Sequence, residues 1–135
     1  MRRKGILALA LAMAGILVVG VGVALAAQSY STKIVFLGND GPSIKDQTLF
    51  GDLNSNSKCV GARKVGLYKQ TSSGFKLIDV DLSSFNGAWA VRADLTGTPN
   101  LAIQVEKDRR NGGNVVCKAA AITLSSNSPN YPTVR

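Results

Sequence analysis

Hydrophobic and polar side chains alternate in short stretches throughout the chain after residue 31. The alternation is clearest at 88–93 and 101–106, where every second side chain is large and apolar. A period of two residues is typical of a half-buried β-strand. Other short runs are rich in β-branched or aromatic residues, and the patterns together predict strands at 32–37, 47–53, 63–69, 75–80, 88–93, 101–106 and 115–123.

Clusters of Gly, Asn, Asp, Ser and Pro separate the predicted strands. The segment 38–42, Gly-Asn-Asp-Gly-Pro, is expected to end the first strand, because these residues favour tight turns. In the strand at 75–80 we expect Phe75 and Leu77 on one face, with Asp79 as a third candidate for that face.

No segment after residue 27 shows the periodicity of a helix. Many short strands separated by turns favour an all-β fold, and we predict a single Ig-like β-sandwich of seven or eight short antiparallel strands at 32–124. A polar lead at 27–31 precedes this domain. The segment 125–135 contains two Pro and mostly polar residues, so it is interpreted as a flexible tail.

The N-terminus has a different pattern. Arg2, Arg3 and Lys4 precede an uncharged apolar run at 5–27, which contains the small-x-small motif Ala24-Leu25-Ala26. A positive start, an apolar middle and a small-residue exit are typical of a secretory signal peptide. We therefore predict an apolar signal helix at 1–26, cleaved after Ala26.

The same apolar run is 23 residues long, which is enough to cross a bilayer as an uncleaved anchor. Both interpretations place the rest of the chain outside the cytoplasm, because the positive charges stay inside. The predicted location is secreted or extracellular, in a bacterium. A membrane is an expected partner only if the N-terminal segment is not cleaved.

Composition narrows the possible chemistry. The chain has 16 Lys and Arg against 8 Asp and Glu, and it has no His. Without His, neither a Ser-His-Asp triad nor a Cys-His pair can form, and His-ligated metal sites are excluded. Three of the basic residues lie in the predicted signal peptide, so the remainder is only mildly basic. A basic stripe with interleaved aromatic side chains is missing, so no nucleic-acid partner is expected.

Cys59 and Cys117 are the only cysteines. Export would place them in an oxidising compartment, and we predict a structural disulfide between them. A redox-active or metal-binding pair is the alternative, but redox pairs normally have the spacing C-x-x-C. In the chain-entropy model a cross-link closing a loop of this length stabilises the fold by about 4 kcal/mol. Trp89 is expected in the core near this disulfide.

Charged residues gather in the segment 107–114, which is predicted to form a hairpin tip. Lys107, Arg109 and Arg110 are candidate contacts for an anionic partner, such as a phosphate, a cell-wall polymer or an acidic glycan. The alternative is a charged hairpin that keeps a sheet edge soluble.

The carboxylates give no specific site. A calcium site formed by Asp79, Asp81 and Asp94 lacks the residue pattern of a calcium loop, so solvated loop carboxylates are the preferred interpretation. No catalytic residue, metal or cofactor is predicted.

Three segments resemble a known type of domain: Lys-Cys-Val-Gly-Ala-Arg-Lys-Val-Gly-Leu-Tyr-Lys at 58–69, Phe-Asn-Gly-Ala-Trp-Ala-Val at 85–91 and Val-Val-Cys-Lys-Ala-Ala at 115–120. Together they resemble secreted bacterial β-sandwich domains of the transthyretin-like, or carboxypeptidase-regulatory-like, type. The resemblance covers residues 46–121. It implies a transthyretin-like fold and a secreted setting. Such domains are often accessory or binding modules, and no catalytic residues carry over.

The sequence therefore predicts a secreted, non-catalytic module with a binding or structural role at the cell exterior, and with an extracellular protein or glycan as its partner. The alternative is a small secreted enzyme inhibitor or effector. Its exposed loop would lie at 94–100 or at 107–114.

Overall fold

The structure, a computed structural model, describes residues 26–134, and the predicted signal helix lies almost entirely outside them. The described part is all-β. Its strands are β1 (Gln28–Tyr30), β2 (Lys33–Ser43), β3 (Asp46–Asn54), β4 (Lys64–Thr71), β5 (Gly74–Leu82), β6 (Ala88–Ala93), β7 (Leu101–Val105), β8 (Asp108–Arg110), β9 (Val115–Cys117) and β10 (Ala120–Leu124). A 3-10 turn, Asn111–Gly113, joins β8 to β9.

The strands form three sheets. The largest has the order β10-β7-β4-β5, and the second has the order β2-β3-β6; both are antiparallel throughout. A third sheet has the order β1-β9-β8. Its β1–β9 pair is parallel, so the all-antiparallel prediction is wrong for this pair.

The two larger sheets share one hydrophobic core. Alternate side chains of both sheets point into it, which is the burial that the two-residue period predicts. The buried members are Ile34, Leu49, Leu53, Val65, Leu67, Trp89, Val91, Ala93, Leu95, Leu101, Ile103, Val105 and Leu124. The disulfide cysteines belong to a second, smaller cluster with Val115, so Trp89 and the disulfide lie in different clusters.

The first long strand differs from its prediction. β2 continues through the segment 38–42, and the chain reverses only at 44–45. The pairing of β2 with β3 shifts register between Phe36 and Gly38 and again between Asp40 and Ser43. Gly41 allows this continuation, because a Cβ there would lie 2.0 Å from the backbone oxygen of Asp46. The turn-forming residues therefore act as bulges inside a strand.

Both ends of the described chain are more ordered by contacts than the sequence suggests. The polar lead contains β1, which pairs with β9. In the segment interpreted as a flexible tail, the Tyr131 hydroxyl donates to the Pro99 carbonyl at 2.6 Å, and the Asn39 side-chain amide donates to the Thr133 carbonyl at 3.0 Å. The segment 125–134 thus packs against the larger sheets.

The last predicted strand, 115–123, is divided. Its first part is β9 and its second part is β10, and the two belong to different sheets. Among residues 26–134 no helix is long and apolar enough to cross a membrane.

Candidate functional site

The two cysteines join the turn before β4 to the third sheet. Cys59 lies in the turn that follows β3, and Cys117 ends β9. Their sulfur atoms are 1.94 Å apart and their Cα atoms are 5.4 Å apart, as in a disulfide. Both side chains are fully buried. The pairing that the sequence predicts is therefore present in the fold.

Arg63 is the residue that the sequence analysis missed. It directly precedes β4, and only 1% of it is exposed. One terminal nitrogen, Nη1, donates to the Cys59 carbonyl at 2.9 Å and to the Thr32 hydroxyl at 3.0 Å. The other, Nη2, donates to the carbonyls of Glu106 at 2.8 Å and Lys118 at 3.0 Å. One side chain thus links segments next to both cysteines.

The Arg63 cation is held by neutral acceptors. Burial lowers the pKa of its guanidinium, the nearby Arg110 cation lowers it further, and Asp108 acts in the opposite direction. An arginine stays protonated in spite of such shifts, because its ordinary pKa is far above physiological pH. The charge is therefore stabilised by carbonyl dipoles, and Arg63 has a structural role.

Arg110 is also committed to the fold. Its Nε donates to Asp108 at 2.8 Å in an ion pair, and its Nη1 donates to the Lys58 carbonyl at 3.0 Å. Its Nη2 donates to the Gly61 carbonyl at 2.5 Å. These bonds tie β8 to the turn that carries Cys59. The Arg110 side chain is thus half-buried and bonded within the fold, although the sequence analysis groups it with the candidate contacts for an anionic partner.

Lys107 and Arg109 remain available at the surface. Both side chains are exposed, and within the described residues neither makes a hydrogen bond or an ion pair. They flank Asp108, whose carboxylate is paired with Arg110. The structure therefore separates the three candidate cations: Lys107 and Arg109 are exposed, and Arg110 ties β8 to the turn that carries Cys59.

The three carboxylates considered as calcium ligands each accept hydrogen bonds from other groups of the protein. Asp79 accepts a hydrogen bond from the Arg92 backbone N–H at 2.6 Å, and Asp81 accepts one from the Ala90 N–H at 2.9 Å. Asp94 accepts from the backbone N–H and the hydroxyl of Thr96, and these bonds lower the pKa of its carboxyl. Within residues 26–134 no group of three or more acidic or cysteine side chains could hold a metal ion.

The loop at 94–100 is anchored at both ends. Leu95 is buried in the core, and its N–H donates to the Ile44 carbonyl at 2.9 Å. At the other end Pro99 accepts from Tyr131, and the Asn100 side chain donates to Gln70 at 2.8 Å. The residues between these anchors are exposed. The loop at 107–114 contains β8 and the 3-10 turn.

Comparisons with protein-family models, curated proteins and solved structures found no match to this chain. The resemblance to transthyretin-like domains therefore stays a prediction that rests on short sequence motifs. The arguments about function below depend on the contacts of this chain alone.

Proposed function

We propose that this protein is an exported, non-catalytic module of Ig-like or transthyretin-like type, and that Lys107 and Arg109 contact an anionic extracellular partner. The observation that carries the proposal is that some basic side chains are bonded within the fold while others are exposed and make no such bonds. Arg63, Arg110 and the disulfide form a frame around the turn at Cys59, whereas Lys107 and Arg109 are exposed just before and within β8, which this frame holds.

The frame supports the proposal because it limits the motion of β8. The disulfide, Arg63 and Arg110 connect β8 and β9 to the turn before β4. A pre-organised surface loses less entropy when it binds, so it gains affinity without new contacts. The disulfide also fits an oxidising, extracellular setting. An acidic glycan or an acidic surface of a protein is the partner class that matches two exposed cations.

The test is binding of the chain from residue 27 to an acidic polysaccharide and to a neutral one. We expect salt-sensitive binding to the acidic polymer only, because exposed charges are screened by salt. The double variant Lys107→Ala/Arg109→Ala should lose most of it. The matched control, Lys45→Ala/Lys64→Ala, removes the same charge from two other exposed positions and should bind like the parent protein. If both double variants lost the same amount of binding to the acidic polysaccharide, net charge alone would explain the binding, and the assignment of Lys107 and Arg109 as the contacts would be refuted.

A second candidate function is enzyme inhibition. The observation that favours it is the loop at 94–100, which is exposed in its middle and fixed at both ends by Leu95 and Asn100. Rigid exposed loops bind enzymes with a small entropic cost. A panel of secreted proteases tests this candidate, and inhibition that the variant Thr96→Ala/Thr98→Ala abolishes would support it over the glycan-binding proposal.

A further inference from the structure

The strand β5 turns its apolar side chains away from the core. Leu77 pairs with Tyr68 and Val80 pairs with Gly66, and these β4 positions face outward. A Cβ built on Gly66 would lie 3.2 Å from the Leu77 side chain, which places both residues on the same outer face. We define the outer stripe of β5 as Phe75, Leu77, Val80 and Leu82, which are 47%, 44%, 39% and 63% exposed.

The inner face of β5 is charged instead. Asp79 and Asp81 pair with the buried core residues Leu67 and Val65, and Lys76 pairs with Lys69 on the same face. The register shifts between Leu67 and Tyr68, which leaves Ile78 as an extra residue in β5. A bulge of this kind changes which side chains face the core. Phe75 and Leu77 share a face, as expected, whereas Asp79, the third candidate for that face, points inward.

The strand β5 is also an open sheet edge. It ends the order β10-β7-β4-β5. Ser83, just after it, bonds to the β4 side through both its N–H and its carbonyl. Because successive residues of a strand alternate, the backbone groups of Val80 and Leu82 point to the open side. Within the described residues no backbone partner meets them there.

The other edges of the two larger sheets are occupied. The edge strand β6 has two of its N–H groups bound by the carboxylates of Asp79 and Asp81. The edge strands β2 and β10 lie against each other and against the segment 125–134. β5 contacts β6 through Asp79 and Asp81, but within residues 26–134 no backbone group pairs with the outer edge of β5 at Val80 and Leu82. Its bulge and its inward charges are features that restrict which strands can add to such an edge.

We propose that β5 is the docking site for a second copy of this chain, with the two β5 strands paired antiparallel across a two-fold axis. The pairing would join two four-stranded sheets into one of eight strands and set the outer stripes side by side. A surface that binds itself across a two-fold axis needs only one patch. Backbone hydrogen bonds along the edge and apolar contacts on the outer face would act together.

Charge on the inner face selects the antiparallel direction. Lys76 lies in the first half of β5, whereas Asp79 and Asp81 lie in the second half. Antiparallel pairing brings Lys76 towards Asp79 and Asp81 of the partner subunit. Parallel pairing would bring each Lys76 beside its own copy, and like charges directly opposite each other are destabilising. Two β5 strands are thus complementary in charge when they pair antiparallel, but not when they pair parallel. This self-complementarity favours a second copy of the chain over an unrelated strand.

The test is the molar mass of the chain from residue 27 in solution, by sedimentation equilibrium over a range of concentrations. We expect a monomer–dimer equilibrium with a dissociation constant below about 1 mM. The variant Val80→Lys/Leu82→Lys replaces two apolar side chains of the outer stripe by charges at the paired edge and should weaken association by at least about 100-fold. Lys76→Glu should weaken it less. The matched control Leu37→Lys changes an apolar residue that is 59% exposed on β2, and it should associate like the parent.

A second measurement keeps the proposal testable even if a variant folds poorly. In the parent protein, hydrogen exchange at the amides of Val80 and Leu82 should slow as the concentration rises, because pairing covers their N–H groups. A parent protein that is monomeric throughout, or dimers in which these amides exchange at unchanged rates, would overturn the proposal. Loss of association in Leu37→Lys with retention in Val80→Lys/Leu82→Lys would overturn it as well.

Discussion

Replacing Arg63 by Met should be among the most damaging single changes in this protein. Met keeps an unbranched, apolar chain in the same space but cannot donate a hydrogen bond. The carbonyls of Cys59, Glu106 and Lys118 would all lose their charged donor. Arg63 is almost fully buried, and its bond to the Cys59 carbonyl lies in the interior, whereas Glu106 and Lys118 are exposed residues. The substitution therefore removes three charged bonds and leaves the buried Cys59 carbonyl without this donor.

The expected magnitude follows from the number of bonds. A hydrogen bond to a charged group contributes about 1.5 kcal/mol or more, net of the cost of removing both groups from water. Three carbonyl bonds then give a loss of about 4 kcal/mol, a large part of the 5–15 kcal/mol by which domains are usually stable. Arg63→Lys keeps the charge but not the planar fork, so a loss of about 2 kcal/mol is expected.

The assay is urea unfolding of the oxidised protein, followed by the fluorescence of Trp89, the single tryptophan. A lower midpoint at an unchanged slope measures the loss of stability. Lys64→Met is the matched control: it changes the exposed neighbour and should alter the free energy of unfolding by less than about 0.5 kcal/mol. If Arg63→Met unfolds within about 0.5 kcal/mol of the parent protein, relief of the buried charge cancels the lost bonds and our reasoning is refuted.

Three further results are expected. Reducing the disulfide should lower the free energy of unfolding by about 4 kcal/mol, as measured by urea unfolding with and without reductant. Gly51→Ala should destabilise the core by about 3 kcal/mol in thermal unfolding, because the new Cβ would lie 1.9 Å from a backbone oxygen that cannot move aside and 2.5 Å from the Trp89 ring. The pKa of the Asp94 carboxyl, followed by NMR, should lie below that of an ordinary Asp and should rise towards it in Thr96→Val. The ionised Asp94 carboxylate stabilises the fold at a pH above the ordinary Asp pKa. This stabilisation is lost as the pH falls through the lowered pKa of the folded protein.

Each of these results has a contrary outcome. Equal unfolding midpoints in oxidised and reduced protein would show that the cross-link does not restrict the unfolded chain. A stable Gly51→Ala variant would mean that β2 and Trp89 can shift apart. An unchanged Asp94 pKa in Thr96→Val would show that the hydroxyl is not the main cause, and would assign the shift to the backbone N–H of residue 96 and to Lys69 and Lys45, which also lower the pKa.

The sequence predicts the strands well because their side chains alternate strongly. β6 and β7 begin and end within a residue of the predicted ranges. The disulfide could also be predicted, since the N-terminal pattern predicts export and two cysteines allow one pairing within the chain. These features depend on local pattern and on composition, which a single sequence contains.

The missed features depend on contacts between distant segments. β2 continues through residues 38–42 because β3 pairs with Gly38, Asn39 and Asp40, although the local preference of the segment is for a turn. In β5 the alternation of faces is interrupted, because the bulge residue Ile78 places Leu77 and Asp79 on opposite faces of the sheet. Arg63 carries no local mark of burial, and its acceptors lie up to 55 residues away. A sequence pattern indicates alternation along a strand, but it does not indicate which distant residue a side chain will contact.

The wide separation of the Arg63 acceptors has a consequence for the order of assembly. The chain is synthesised from its N-terminus, and the Lys118 carbonyl, 55 residues beyond Arg63, is among the last partners to appear. Until then the guanidinium keeps its hydration shell, because only part of its final set of acceptors exists. Contacts over such distances require the closure of long loops and form slowly. The turn at Cys59 therefore cannot reach its final packing until β9 and Lys118 are in place.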